Sequence, residues 1–341
     1  MKKPFLFASV TVAALGMFAL SATVSAGTLQ DVQKRGELKC GVNVGLPGFS
    51  APDEDGHWSG IDAAFCRSVA TALFGDSDAV EFVPLTAKER FTALQTGAVD
   101  MLSRNSTWTL TRDVDLGVDF VGVLFYDGQG FLVPTDYDID HIEELDGATI
   151  CVLSGTTTEL NLADYFRTHD LDYTPLTLRD SSQTITAFNA GRCDALTSDS
   201  SQLAALRTKL EDPSSAKILP ELISKEPLSP GVAQGDPEWE NVVQWTLFAL
   251  IRAEELGITS DNVDEMLKSD NPKVKRLLGV SGKMGEMLGV PNDWAYQVIK
   301  QMGNYGQIFD RTVGEDSPLN LPRGVNALWT DGGVQYAMPI R

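Results

Sequence analysis

LQTGAVDMLSRNSTWTLTR, residues 94–112, carries a short apolar run, Ala98 to Leu102, straight into Ser103, Arg104, Asn105, Ser106 and Thr107, all hydrogen-bonding types. The run reads as a strand, and strand ends that open into polar turns are where α/β proteins bind ligands. Upstream, Glu37 to Val44 reads as a strand and Ile61 to Phe74 as a helix with Ile61, Ala64, Phe65, Val69 and Leu73 near one face. Glu81 to Leu85 is a second strand and Lys88 to Thr96 a second helix, so Ala98 to Leu102 completes a β-α-β-α-β unit.

The same alternation then starts again. After Phe120 to Phe125 and the extended Phe131 to Val133, Ala148 to Leu153 reads as a strand, Thr158 to Thr168 as a helix and Tyr173 to Leu178 as a strand. Ser182 to Asn189 is the next helix and Cys193 to Thr197 the next strand. A second extended segment, Pro227 to Gln234, precedes helices rich in Trp245, Leu247, Phe248, Leu250 and Ile251, with no further sheet unit behind them. The economical arrangement has residues 27–130 building one lobe and residues 131–230 an inserted second lobe. Residues 231–341 then return to the first lobe as a C-terminal helical extension that includes a helix from Trp294 to Ile308. Two strands, near 130–134 and 229–234, would cross between the lobes as a hinge. Two independent domains in a row is the alternative, and it leaves the apolar C-terminal third without a partner sheet.

The first 26 residues carry Lys2 and Lys3, an apolar run from Phe5 to Leu20, and Val24-Ser25-Ala26 before the mature start near Gly27. This is the pattern of a secretory signal peptide cleaved after Ala26, which sends the protein to an exported compartment. Export gives the four cysteines meaning, because disulfides persist in oxidising compartments. Three pairings are open. Spacing favours Cys40 with Cys66 and Cys151 with Cys193, one bridge per lobe. No metal is expected, since C-x-x-C is missing and His57, His141 and His169 are scattered.

The chain carries 27 basic and 47 acidic residues, a net charge of −20, and loss of the two signal lysines makes it −22. A surface of that sign repels nucleic acid and anionic lipid, so neither is expected as a partner. The charge is interspersed with apolar periodicity, which reads as an acidic globule and not as disorder.

Three features could carry chemistry. Arg112 offers a planar fork for a carboxylate, with the Thr107 hydroxyl five residues before it; the plainer reading is a solvated arginine in a first helical turn. Ser154-Gly155-Thr156-Thr157-Thr158-Glu159 places free N–H groups and hydroxyls at a helix start, an anion site or an ordinary cap. Asp199 follows the next strand, where it meets an ammonium group or caps the helix beginning near Ser200. Arg112 and Asp199 together would suit a zwitterion.

These segments carry a family resemblance. TLQDVQKRGELKCGVNVGLPGFS, GIDAAFCRSVATALFG, PLTAKERFTALQTGAVD, SRNSTWTLTR, YDGQGFLV, SGTTTE, GRCDALTSD and PLNLPRGVNALW occur in this order over essentially the whole mature chain. In that order they resemble a periplasmic solute-binding protein of an amino-acid ABC transporter, of the general L-amino acid or glutamate/glutamine/aspartate/asparagine group. The resemblance implies a two-lobed, type II periplasmic-binding-protein-like α/β fold with two hinge crossings. It implies a monomer that binds an L-amino acid, closes over it and delivers it to an inner-membrane ABC permease, with no cofactor and no enzymatic activity.

Carried over by position, Arg112 grips the ligand α-carboxylate with Thr107 and the backbone of Thr157. Asp199 holds the α-ammonium with the carbonyl of Asn105. The side-chain pocket would draw on Asn43, Leu46, Arg90, Arg104 and Ser154, with Ser181 or Ser198. Arg90 falls where glutamate- and aspartate-binding relatives place a side-chain arginine. The chain departs from narrow glutamine- or arginine-binding relatives at Leu46 and Ala87, where they carry aromatic platforms, and at Leu153, where they often carry a lysine or arginine. A broad specificity follows, with Glu, Gln, Asp and Asn favoured.

A dehydratase-like periplasmic enzyme on the same fold and an amino-acid sensor are the competing readings. Against the enzyme, no G-x-S-x-G elbow occurs, and Ser214-Ser215-Ala216-Lys217 matches S-x-x-K without a following K-T-G. The chain also lacks a G-x-x-x-x-G-K-[ST] loop, so ATP hydrolysis would belong to its transporter.

Overall fold

A computed structural model describes residues 27–341. The expected signal peptide and its cleavage after Ala26 lie outside the described residues. Two five-stranded sheets share one strand order. The first runs Val80–Leu85, Leu38–Asn43, Met101–Leu102, Gly231–Ala233, Val118–Phe120, and the second Tyr173–Leu178, Ala148–Leu153, Ala195–Asp199, Gln129–Pro134, Ala216–Ile218. In each sheet the first three strands are parallel and the fourth is antiparallel to its neighbours. The fourth strand of each sheet comes from the far side of a crossing: Gln129–Pro134 follows the first sheet in sequence, and Gly231–Ala233 follows the second. These are the two lobes of a type II binding-protein fold.

The segments expected to cross, 130–134 and 229–234, lie within the two large sheets. Between the sheets runs a separate two-stranded antiparallel ladder, Phe125–Asp127 against Glu226–Leu228, a few residues earlier in each case. Gly130 to Leu132 pairs with Leu196 to Ser198 on one side, and Leu132 and Val133 pair with Ile218 and Lys217 on the other.

Helix Ile61–Phe74 is buried along most of its length and stops at Gly75, whose φ of +69° suits glycine. Helix Pro237–Glu255 starts with Pro237 behind the capping carboxylate of Asp236 and packs beside it. Its Trp239 Nε1 donates to the Asp100 carbonyl at 2.8 Å, tying the returning chain to the first sheet.

Several elements differ from expectation. Of Ala98 to Leu102 only Met101–Leu102 is strand, because residues 97–100 form the turn that brings Asp100 to the Lys39 backbone N–H. Phe120 to Phe125 divides between Val118–Phe120 and the ladder strand Phe125–Asp127. The single helix expected over Trp294 to Ile308 is two, Trp294–Met302 and Tyr305–Thr312, broken at Gly303 with φ +78° and restarted by the Asn304 cap. Both pack back against the first lobe, on Ile61–Phe74 and Pro237–Glu255.

The disulfides join Cys40 to Cys66 and Cys151 to Cys193, one in each lobe, as the spacing favoured. Among the described residues no cluster of His, Cys, Asp and Glu could hold a metal ion, and no helix is long and apolar enough to cross a membrane.

Candidate functional site

A small cavity lies where the two lobes meet. Arg90, Arg104, Asn105 and Thr107 line it from the first lobe, and Leu153, Thr156, Thr157, Thr158, Ser198, Asp199 and Gln202 from the second. Its volume of about 20 Å³ is room for about one water.

The first wall is built by the polar turn after Met101–Leu102. Asp62, buried in helix Ile61–Phe74, accepts from Ser103 Oγ at 3.1 Å and from the Asn105 N–H at 2.9 Å. These bonds hold Asn105 at φ +33°, a conformation asparagine tolerates better than most residues. Burial raises the Asp62 pKa to about 7 against the opposing effect of the two donors. The Asn105 side chain accepts from Asn43 Nδ2 at 3.0 Å and donates to Gln202 Oε1 at 3.0 Å, so one amide joins the lobes.

Arg112 sits in a π-helical turn, Thr111–Asp115, and is 7% exposed; it is not a solvated surface arginine. It stands next to the cavity instead of lining it, and Nη1 donates to the Thr107 carbonyl at 2.8 Å. The Phe91 ring carries two guanidinium groups, that of Arg90 at 4.8 Å and that of Arg112 at 5.2 Å from its centroid. Arg104 Nε donates to the Leu85 carbonyl at 3.0 Å, while Arg90 Nε is buried with no partner. Burial first, then mutual repulsion, depresses the pKa of Arg90 well below the ordinary arginine range, and Arg104 falls to about 10.

The second wall is the start of helix Thr157–Thr168. Thr156 caps it by accepting from the Glu159 N–H at 3.2 Å, and Glu159 returns to the Gly155 N–H at 2.9 Å. Gly155 has φ +77°, which lets the strand turn sharply into the helix.

Asp199 is the last residue of Ala195–Asp199 and precedes helix Ser200–Arg207, yet its side chain makes no capping bond. It faces the cavity, with Oδ1 buried and unpartnered. Burial and the neighbouring charges of Asp127 and Glu226 push its pKa well up, against the pull of Arg112 and Arg90.

Four expected residues lie elsewhere. Leu46 is fully buried in the apolar core, where its backbone bridges Ser50. Asn43 reaches the cavity only through Asn105. Ser154 lies in the turn behind the wall, its N–H donating to the Leu178 carbonyl at 2.9 Å; Ser181 is buried beside Gln202, whose Nε2 donates to its hydroxyl at 3.4 Å.

The sequence reading missed Gln202, Thr158 and above all Glu226. Glu226 opens the ladder strand Glu226–Leu228, and its Oε2 accepts from Thr107 Oγ1 at 2.5 Å and Thr157 Oγ1 at 2.8 Å. Its signal was present, as an acidic residue just before the extended segment starting at Pro227.

A cavity with guanidinium groups on one wall and an unpartnered carboxylate on the other is suited to a small ligand carrying both charges. Residues 38–261 match the model of bacterial extracellular solute-binding proteins, family 3. The chain is 54% identical, over 100% of both sequences, to the general L-amino acid-binding periplasmic protein AapJ of Rhizobium johnstonii. It is 49% identical, again over 100% of both, to the glutamate/glutamine/aspartate/asparagine-binding protein BztA of Rhodobacter capsulatus. A periplasmic binding protein from Brucella ovis, solved with glutathione bound, superimposes with a TM-score of 0.92 at 52% identity, covering 93% of this chain and 100% of that one. By the family match and by full-length identity, this chain belongs to the bacterial extracellular solute-binding proteins of family 3.

Proposed function

We propose that this chain is the periplasmic substrate-binding component of an amino-acid ABC importer. It binds L-amino acids broadly, with Glu, Gln, Asp and Asn favoured, and delivers them to an inner-membrane permease. The observation that carries this reading is the pairing, across one interlobe cavity, of the Arg90 and Arg104 guanidinium groups that line it, with Arg112 beside them on the Phe91 ring, and the free Asp199 Oδ1. Arg112 and Arg90 take carboxylates, and Asp199 takes the α-ammonium. The names of AapJ and BztA agree with this ligand class. The γ-glutamyl end of glutathione, the molecule bound to the Brucella ovis protein, is itself an α-amino acid.

The ladder of Phe125–Asp127 and Glu226–Leu228 is the proposed hinge, and the lobes are proposed as residues 27–130 with 231–341, and 131–230. An amino acid is far larger than the cavity's volume, so it enters an open form and the lobes close on it. Only a ligand that contacts both walls shifts that equilibrium.

The test is a thermal-shift and calorimetric screen of the mature protein, refolded free of carried-over ligand, against the common L-amino acids. At a hundredfold excess over Kd a ligand adds about 2.7 kcal/mol of stability. Glu, Gln, Asp and Asn are expected to raise the melting temperature most. No shift with any amino acid refutes the function, and a response to one alone refutes the breadth.

A further inference from the structure

Glu226 holds cavity-lining side chains from both lobes at once. It is 1% exposed. Its Oε2 accepts from Thr107 of the first lobe and Thr157 of the second, and its Oε1 accepts from Asn161 Nδ2 at 2.7 Å and Ser224 Oγ at 2.6 Å. Four donors on two oxygens fill the lone-pair sites of a carboxylate, which is the ionised form.

Two consequences follow from elementary chemistry. A hydroxyl has one proton, and Thr107 and Thr157 each give theirs to Glu226. Toward the cavity they therefore present lone pairs, so they cannot also donate to a ligand carboxylate while Glu226 keeps them. Secondly, Glu226 brings a negative charge to Arg112, and with Asp199 it favours the charged form of that guanidinium against the cost of burial. The site carries a carboxylate of its own in the neighbourhood where a ligand's carboxylate is expected.

Resting on the amino-acid-binding reading above, we propose that Glu226 is a specificity-determining residue. Its charge offsets part of the positive charge that Arg112 brings to the guanidinium cluster, so that ligands with neutral side chains are admitted beside acidic ones. Without it, the cluster of Arg112, Arg90 and Arg104 lacks one counter-charge that a second carboxylate on the ligand supplies. Breadth is then a property of a hinge-strand residue and not of the pocket wall alone.

The experiment is calorimetric titration of ligand-free mature protein with L-glutamate and L-glutamine. Glu226→Gln keeps the shape and removes the charge. The double variant Asn161→Ala with Ser224→Ala keeps the charge and strips two donors from it, outside the cavity lining. Neutralisation is expected to raise the preference for glutamate over glutamine about tenfold, the effect of one neighbouring charge worth about one pKa unit. The double variant is expected to lower it about threefold. Should E226Q fail to fold, judged by its circular dichroism and melting transition, the double variant decides alone. Ratios within twofold of wild type in the folded variants overturn the proposal. A wild-type protein that binds neither ligand refutes the amino-acid reading instead, so the two failures are distinguishable.

Discussion

The carboxamide of Asn326 takes both backbone groups of Tyr126: Oδ1 accepts the Tyr126 N–H at 2.7 Å, and Nδ2 donates to the Tyr126 carbonyl at 3.0 Å. Tyr126 is the middle residue of the ladder strand Phe125–Asp127, and its partner in register is Pro227. Proline has no N–H to offer, and the Pro227 carbonyl accepts instead from the Trp108 N–H at 2.9 Å. A side-chain amide thus replaces the missing neighbour strand on one edge, while the turn bearing Thr107 occupies the other. Gln335 Nε2 and the Tyr305 hydroxyl add bonds to the Leu124 carbonyl, at 3.4 and 2.8 Å. All three residues come from beyond residue 261, where the family match ends.

Asn326→Ala leaves the backbone N–H and carbonyl of the half-buried Tyr126 without their side-chain partners. A loss of about 2–3 kcal/mol in unfolding free energy is expected from urea denaturation. A loss below about 0.5 kcal/mol would mean that water replaces the amide and that the bonds contribute little.

Arg112→Ala removes the donor to the Thr107 carbonyl and the counter-charge of Asp199 and Glu226. Amino-acid affinity is expected to fall at least a hundredfold by calorimetry, with the circular dichroism spectrum unchanged. Arg112→Lys keeps the charge but not the planar fork, and should recover only part of the loss. Near-normal affinity in the alanine variant would remove Arg112 from the site.

Each disulfide closes a loop in the unfolded chain, 26 residues apart for Cys40–Cys66 and 42 for Cys151–Cys193. Replacing either pair by serine should cost about 3–4 kcal/mol, slightly more for the longer loop. Equilibrium unfolding of the two variants checks both the size and the order.

Burial raises the Asp62 pKa from 3.8 to about 7. The folded state therefore holds a proton that the unfolded state releases above pH 3.8, and stability falls as pH rises from about 4 to about 7. The slope is on the order of 1 kcal/mol per pH unit within that window. In Asp62→Asn this contribution to the slope is absent, so wild type minus variant stability should be more favourable at about pH 4 than at about pH 7. An equal difference at both pH values would show that Asp62 does not titrate in this range.

Helix Ile61–Phe74, the strand Tyr173–Leu178 and the cap at Thr156 were legible because periodicity and capping act over a few residues. Gly303 and Asn304 could have been read as a helix break, but the apolar run from Trp294 to Ile308 concealed them. An extended segment looks alike whether it joins two sheets or lies in one, so sequence alone does not tell Gln129–Pro134, which pairs within the second sheet, from Phe125–Asp127, which pairs with Glu226–Leu228.

Local chemistry alone carried the two α/β units, the disulfide pattern and the polar turn ending in Arg112, since each rests on residue types at short spacing. What those residues do was decided by long-range packing. Arg112 and Asp199 each had a bland alternative, surface exposure or helix capping, that is excluded only by the folded chain, which buries both and leaves the Asp199 side chain without a capping bond. Glu226, 119 residues after Thr107 and 69 after Thr157, had no local reason to meet either. Their meeting depends on the ladder that pairs Glu226–Leu228 with Phe125–Asp127, and no short window of sequence contains that pairing.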